Sequence, residues 1–148
     1  MFRSLSDLLS GLRGRPDFEA DDHRVAAAAL LLRVSASDGQ VGAAEDSKIM
    51  SVLTRGFGLD PRAAADVLEE AARREKEAAD LSAFTDVLRR ALSREGRERI
   101  VELLWELTYA DGVPHEFEET IVRRVAELLR VADSDRLRLH GPVIEQED

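Results

Sequence analysis

The sequence predicts an all-α protein, a single-domain bundle of about seven to eight helices that contains an internal helix-turn-helix duplication. Three observations point there. Apolar residues recur at spacings of three and four along most of the chain, and no stretch alternates like a half-buried strand. The interruptions fall at Gly14-Arg15-Pro16-Asp17, Asp38-Gly39, Gly56-Phe57-Gly58, Asp60-Pro61 and Asp111-Gly112, residue types that end or begin helices. Finally, Asp111, Gly112 and Glu118 follow Asp38, Gly39 and Glu45 by the same 73 positions. The helices entering the two turns match at that offset too, Arg24 with Arg97, Leu30 with Leu103, Leu31 with Leu104 and Val34 with Leu107. A helix pair leaves an apolar face uncovered, so the two copies are expected to pack about a pseudo-twofold axis, bringing the acidic turns onto related surfaces.

In chain order, Phe2, Leu5, Leu8, Leu9 and Leu12 form a short amphipathic stripe, read as a helix folded back on the domain or as an anchor for a partner or membrane surface. Polar residues interrupt it throughout and no small-residue cleavage site follows, so a signal peptide or membrane span is not expected. Asp21 or Asp22 should cap the next helix, whose run Val25 to Val34 is apolar nearly all round and therefore central. After Asp38-Gly39 an amphipathic helix from Ala43 to Arg55 points Ile49, Val52 and Leu53 inward. Gly56-Phe57-Gly58 closes it and is no nucleotide loop, because it follows a helix and lacks the third glycine. Asp60-Pro61 reads as the cap and first residue of a helix whose charged row faces solvent over Val67, Leu68, Ala71 and Ala72. Leu81 to Leu92 is a fifth helix. Ser93 caps the second central one, which holds Ile100, Val101, Leu103, Leu104, Trp105, Leu107 and Tyr109. Pro114 opens a seventh with Phe117, Ile121, Val125, Leu128 and Leu129, and Asp133 to Leu139 forms a short last helix.

At 148 residues one domain can bury about 70% of the surface its unfolded chain exposes, with no staple required. Absence of cysteine excludes thiolate catalysis, zinc-thiolate sites and iron-sulfur clusters, and suggests a cytoplasmic address. Thirty acidic and twenty-one basic residues give a net charge of −9. Nucleic acid is disfavoured as a partner, while a divalent cation or a basic protein surface suits such a chain. No phosphate loop, Gly-x-Ser-x-Gly or Ser-His-Asp set is present, so no enzyme and no organic cofactor is expected. An enzyme would need a pocket joining Asp111, Glu118 and His115 beneath Tyr109.

The chemistry is concentrated at the acidic turns. Asp38, Gly39 and Glu45 fit positions 5, 6 and 12 of a calcium loop, as do Asp111, Gly112 and Glu118. Positions 1 and 3 would be Val34 and Ala36, or Leu107 and Tyr109, so neither turn is a complete EF-hand. The candidate ligands are Asp38, Glu45, Asp111 and Glu118, with Asp46, Glu116, Glu119 and His115 as secondary candidates. Oxygen-only donors suit a hard divalent cation, and the fit to calcium-loop positions makes calcium the expected ion ahead of magnesium or manganese. The competing reading needs no metal: aspartate before glycine is common turn chemistry, and first-turn glutamates satisfy the helix dipole. His115 lacks the second histidine of a zinc motif and reads as solvent-facing, and Trp105 and Tyr109, four apart, read as core.

Taken together, Asp38-Gly39 with Glu45, Phe57-Gly58-Leu59, Phe84-Thr85-Asp86-Val87-Leu88, Tyr109-Ala110-Asp111-Gly112, His115-Glu116-Phe117-Glu118-Glu119 and Arg124-Val125-Ala126-Glu127-Leu128-Leu129 resemble the TerB-like tellurite-resistance family, whose domain is similar to the N-terminal domain of the DjlA co-chaperones. The likeness runs from about Asp21 to His140. The chain accordingly divides into residues 1–20, an N-terminal amphipathic helix and linker, 21–141, the TerB-like helical domain, and 142–148, an acidic tail. The likeness implies a cation at Asp38, Glu45, Asp111 and Glu118, and work with protein partners, in some cases beside a membrane, in a stress or metal-resistance response. Two positions depart from the family pattern: Ser37 replaces alanine before Asp38, and Arg130 stands where glycine usually follows the Leu-Leu pair. Tellurite is an anion that an acidic surface does not attract, so direct tellurite binding is not expected. The function that follows is a non-enzymatic, cytoplasmic interaction domain organised by a divalent cation. Its alternative is a metal-free helical adaptor or co-chaperone-like docking domain that meets its partner through apolar grooves or Met1 to Leu12.

Overall fold

A computed structural model describes residues 18–36, 43–109 and 116–131, the side chains of residues 43–45 excepted. The described residues form six helices and no strand: α1 His23–Ala36, α2 Ala43–Phe57, α3 Pro61–Glu77, α4 Ser82–Ala91, α5 Arg94–Thr108 and α6 Glu116–Leu129. The helices expected in Met1–Leu12 and Asp133–Leu139 lie outside the described residues, as do both Asp-Gly dipeptides and Pro114.

Helix α1 is the hub. Val25 to Leu31 are all buried, Val34 is fully so, and the helix touches each of the other five. An alanine-rich surface permits this, because small side chains let five neighbours approach one axis. Asp22 starts the helix, its Oδ1 accepting from the backbone N–H of Arg24 at 2.9 Å and of Val25 at 3.4 Å. Helices α1 and α2 run antiparallel, since the His23 ring at the start of one lies 5.9 Å from the Phe57 ring at the end of the other. The same holds for α5 and α6, where the Arg97 guanidinium at the start of α5 donates to the Leu129 carbonyl at the end of α6.

The element ends follow local chemistry. Asp60 caps α3 through Ala63 N–H at 2.8 Å with Pro61 at the first helical position, and Ser93 caps α5 through Gly96 N–H at 3.1 Å. Gly58 leaves α2 with φ 65°, the left-handed conformation that glycine adopts without a Cβ penalty. Helix α6 ends the same way without a glycine. Arg130 has φ 60°, and Val131 N–H reaches back to the Ala126 carbonyl at 2.9 Å, the long bond of a Schellman ending.

Ion pairs fix the outer helices. Arg33 of α1 holds Glu75 of α3 at 2.7 Å, and Arg74 donates to the carbonyls of Phe18, Glu19 and Ala20 at 3.2, 3.1 and 3.2 Å. The charged row on α3 is therefore mostly a solvated face, but Arg74 also clamps the chain where it enters the bundle.

Candidate functional site

The described part of the second acidic turn is the end of α5 and the beginning of α6. Helix α5 arrives rigidly. Trp105 is fully buried, Thr108 donates its hydroxyl to the Leu104 carbonyl at 3.0 Å, and Tyr109 terminates the helix with its N–H on the Trp105 carbonyl at 3.0 Å. The Trp105 and Tyr109 rings stack at 5.5 Å with 9° between their planes, and the Arg123 guanidinium of α6 lies 5.9 Å from the centre of the Trp105 ring. Core packing thus explains Trp105, while Tyr109 is half-buried and its hydroxyl reaches the other side of the turn.

That hydroxyl donates to Glu119 Oε2 at 2.6 Å. The hydrogen bond to an ionisable carboxylate is short and strong, and it ties the end of α5 to the first turn of α6 across residues 110–115. Glu116, Glu118 and Glu119 occupy that first turn, where carboxylates offset the positive end of the helix dipole. Their environments differ sharply. Glu118 is 4% exposed, Glu119 is half-buried in the grip of Tyr109, and Glu116 is in solvent. Beside them Phe117 projects outward at 68% exposure.

Asp111 and His115 lie outside the described residues, as do Asp38 and the Glu45 side chain of the first turn; Asp46, on α2, is exposed. The structure therefore assembles Tyr109, Glu118 and Glu119 around the second turn and does not describe how the two turns lie relative to each other. Among the described residues no three acidic or histidine side chains lie close enough to hold a metal. The donors that are described fit a hard cation in kind, being carboxylate oxygens held in place by burial or by Tyr109.

Periodicity did not reveal a charged network inside α5. Arg99 is 9% exposed and Glu102 1%, and the two are ion-paired; Arg99 Nη1 also meets Glu106 Oε1 at 3.2 Å, and Arg55 of α2 approaches Glu106 at 3.7 Å. No signal in the sequence marked it, because charges three apart on a helix that carries seven charged residues read as an ordinary surface pair.

No helix among the described residues is long and apolar enough to cross a membrane. The family model described as tellurite resistance protein TerB matches residues 24–140. No curated protein and no solved structure matches the chain. That match takes in the six helices, all but His23 of α1, and both acidic turns, in agreement with the motifs from Asp38-Gly39 to Leu128-Leu129: the chain belongs to the TerB tellurite-resistance family.

Proposed function

We propose that this chain is a non-enzymatic, cytoplasmic domain in a tellurite, metal or stress response, in which the duplicated Asp-Gly…Glu turns bind a divalent cation and so fix a surface for a protein partner. The observation that carries the reading is Glu118, a carboxylate 4% exposed in the first turn of α6. Burial fixes that carboxylate beside Glu119, whose Oε2 is held by Tyr109, so two oxygen donors of the kind a hard cation takes stand in place directly after residues 110–115. Asp111 and Glu118 would supply ligands at the second turn and Asp38 and Glu45 at the first, with calcium preferred over magnesium or manganese and water completing the shell. The duplication is read from the sequence, in which Asp111, Gly112 and Glu118 follow Asp38, Gly39 and Glu45 by 73 positions.

Calorimetric titration with calcium, magnesium and manganese tests the ion. A ligand present at a hundred times its dissociation constant stabilises the folded state by about 2.7 kcal/mol. The chain also carries its own optical reporter. Its single tryptophan and single tyrosine are stacked on each other, and the tyrosine is bonded to Glu119. Binding at the turn should therefore alter Trp105 emission, and Asp111→Asn with Glu118→Gln should abolish the change. No heat, no emission change and no rise in Tm at millimolar ion would remove the metal.

Phe117 favours a second reading, a metal-free helical adaptor or co-chaperone-like docking domain. An aromatic side chain at 68% exposure is the one large hydrophobic group left in solvent among the described residues, and such groups anchor interfaces. In that case Phe117→Ala weakens partner capture, while Asp111→Asn and Glu118→Gln leave it unchanged.

A further inference from the structure

Between α3, α4 and the entry strand of chain before α1 lies a shallow apolar groove of about 220 Å³, lined by Ala26, Ala78, Ala83, Phe84 and Val87, with Arg74 and Glu77 as its charged members. It is smaller than the roughly 300–1,000 Å³ of ordinary small-molecule sites and lacks their convergent polar groups. Its size and lining suit inserted aliphatic side chains. We propose that its occupant is the chain's own amphipathic segment, Met1–Leu12, docked through the face that carries Phe2, Leu5, Leu8, Leu9 and Leu12.

Three independent observations select that occupant. The first is position: Ala20 itself borders the groove, and Arg74, another lining residue, holds the carbonyls of Phe18, Glu19 and Ala20. The Arg24 guanidinium lies 6.0 Å from the centre of the Phe18 ring, fixing the same point from the other side. Whatever precedes Phe18 therefore starts at the mouth of the groove. The second is reach. Six residue steps separate Leu12 from Phe18 and span up to about 20 Å when extended, while a twelve-residue helix is about 18 Å long, so the stripe can turn back over α3 and α4 without strain. A tether this short gives an effective concentration in the millimolar range, so even a weak contact is populated.

The third is charge. Residues 1–15 contain Arg3, Arg13 and Arg15 against Asp7, a net charge of +2, whereas the whole chain carries −9 and the remainder therefore −11. Glu77 borders the groove and Asp80 stands in the connection between α3 and α4. Arg74 also lines the groove but is engaged by Glu70 at 2.7 Å; against the −11 of the remainder, a basic, leucine-faced segment is complementary in polarity and in overall sign. The inference does not depend on the ion: it assigns the N-terminal stripe to the domain itself and so withdraws it from partners.

Because the chain has no cysteine, a nitroxide can be placed on Ala79→Cys, an exposed position beside the groove that does not line it, in the otherwise intact protein. The expected result is paramagnetic broadening of the Leu5, Leu8 and Leu9 methyl resonances in the monomer, independent of protein concentration. Leu8→Asp with Leu9→Asp should remove the broadening and raise amide exchange in Ser82–Ala91 about tenfold or more, as expected when two leucines leave a covered surface. Ala83→Glu, an exposed substitution within the groove, should do the same from the other side. Broadening that transfers to an unlabelled copy in a mixed sample would identify a second molecule as the occupant and overturn the proposal. So would the absence of broadening, whether or not the segment then binds anionic phospholipid vesicles.

Discussion

Replacing Arg130 by glycine should stabilise the protein, although it deletes a charged side chain and adds no contact. Arg130 closes α6 with φ 60°, a conformation that costs an L-residue about 1–2 kcal/mol because Cβ crowds the following carbonyl. Glycine removes that cost but regains freedom in the unfolded chain, an opposing term of about 0.4–1 kcal/mol. The Arg130 side chain is exposed, so little packing is lost, and the net gain is about 1 kcal/mol. At roughly 2.1 cal/mol/K of unfolding entropy per residue, a 148-residue chain gains about 3 °C in Tm. Gly58 provides the mirror experiment. Its φ is 65° and an added Cβ would meet nothing within 4 Å, so Gly58→Ala isolates the backbone term and should lower stability by about 1 kcal/mol. Urea and thermal unfolding of both variants, with m-values unchanged, read the two signs. A lower midpoint for Arg130→Gly, or shifts of the same sign in both variants, would show that the left-handed cost is not what sets these helix ends.

Other substitutions probe the interior and the caps. In α5, Glu102→Ala removes a buried ion-pair partner of Arg99 and should cost about 3–5 kcal/mol in urea unfolding, whereas Arg99→Met with Glu102→Leu should fall within about 2 kcal/mol of the parent. At Gly56 a Cβ would lie 2.8 and 2.9 Å from the two terminal methyl carbons of buried Leu103. Gly56→Ala should therefore destabilise by about 1 kcal/mol despite its better helix propensity, and Leu103→Val in the same chain should recover part of that loss. Burial pushes the Asp22 carboxyl up, but hydrogen bonding and charge from Arg24, with the N–H groups of Arg24 and Val25, outweigh it and hold the group below its ordinary 3.8. A depressed folded pKa means stability that is present above that ordinary value and lost as pH falls through the lower folded one. Thermal unfolding should show this acid loss in the parent and less of it in Asp22→Asn, which keeps a capping oxygen but does not titrate.

Much of the fold could be read before any coordinates, because its boundaries depend on local chemistry. Asp60-Pro61, Ser93 and Asp22 satisfy orphan N–H groups by their own side chains, and such caps act within three residues of themselves. The centrality of α1 was equally legible, since a helix with no polar face can only be surrounded. Arg99 and Glu102 were not legible. Charges three apart on a helix look like an ordinary surface pair, and they are enclosed only by the packing of α5 against its neighbours, α2 among them, where Arg55 meets Glu106 and Gly56 meets Leu103. Arg74 is a similar case: one arginine among many on α3 becomes a clamp only because the chain before α1 passes over it.

The acidic turns mark a different limit. Glutamates in the first turn of a helix lower its energy whether or not a cation is near, so residue types and spacing alone leave the two uses indistinguishable. Tertiary structure treats the three neighbouring carboxylates differently: Glu116 is left in water, Glu119 is held by Tyr109 at the end of the preceding helix, and Glu118 is buried. A dipole needs none of this discrimination, because its field acts on an exposed carboxylate and falls off within a turn. Fixing one carboxylate and enclosing its neighbour sets two oxygen-bearing groups at defined places, an arrangement that a bound cation or the packing of α6 against α5 would each use. For this reason the ion titration should be read at Trp105 and Tyr109, whose stack is mechanically joined to Glu119, rather than through global stability alone.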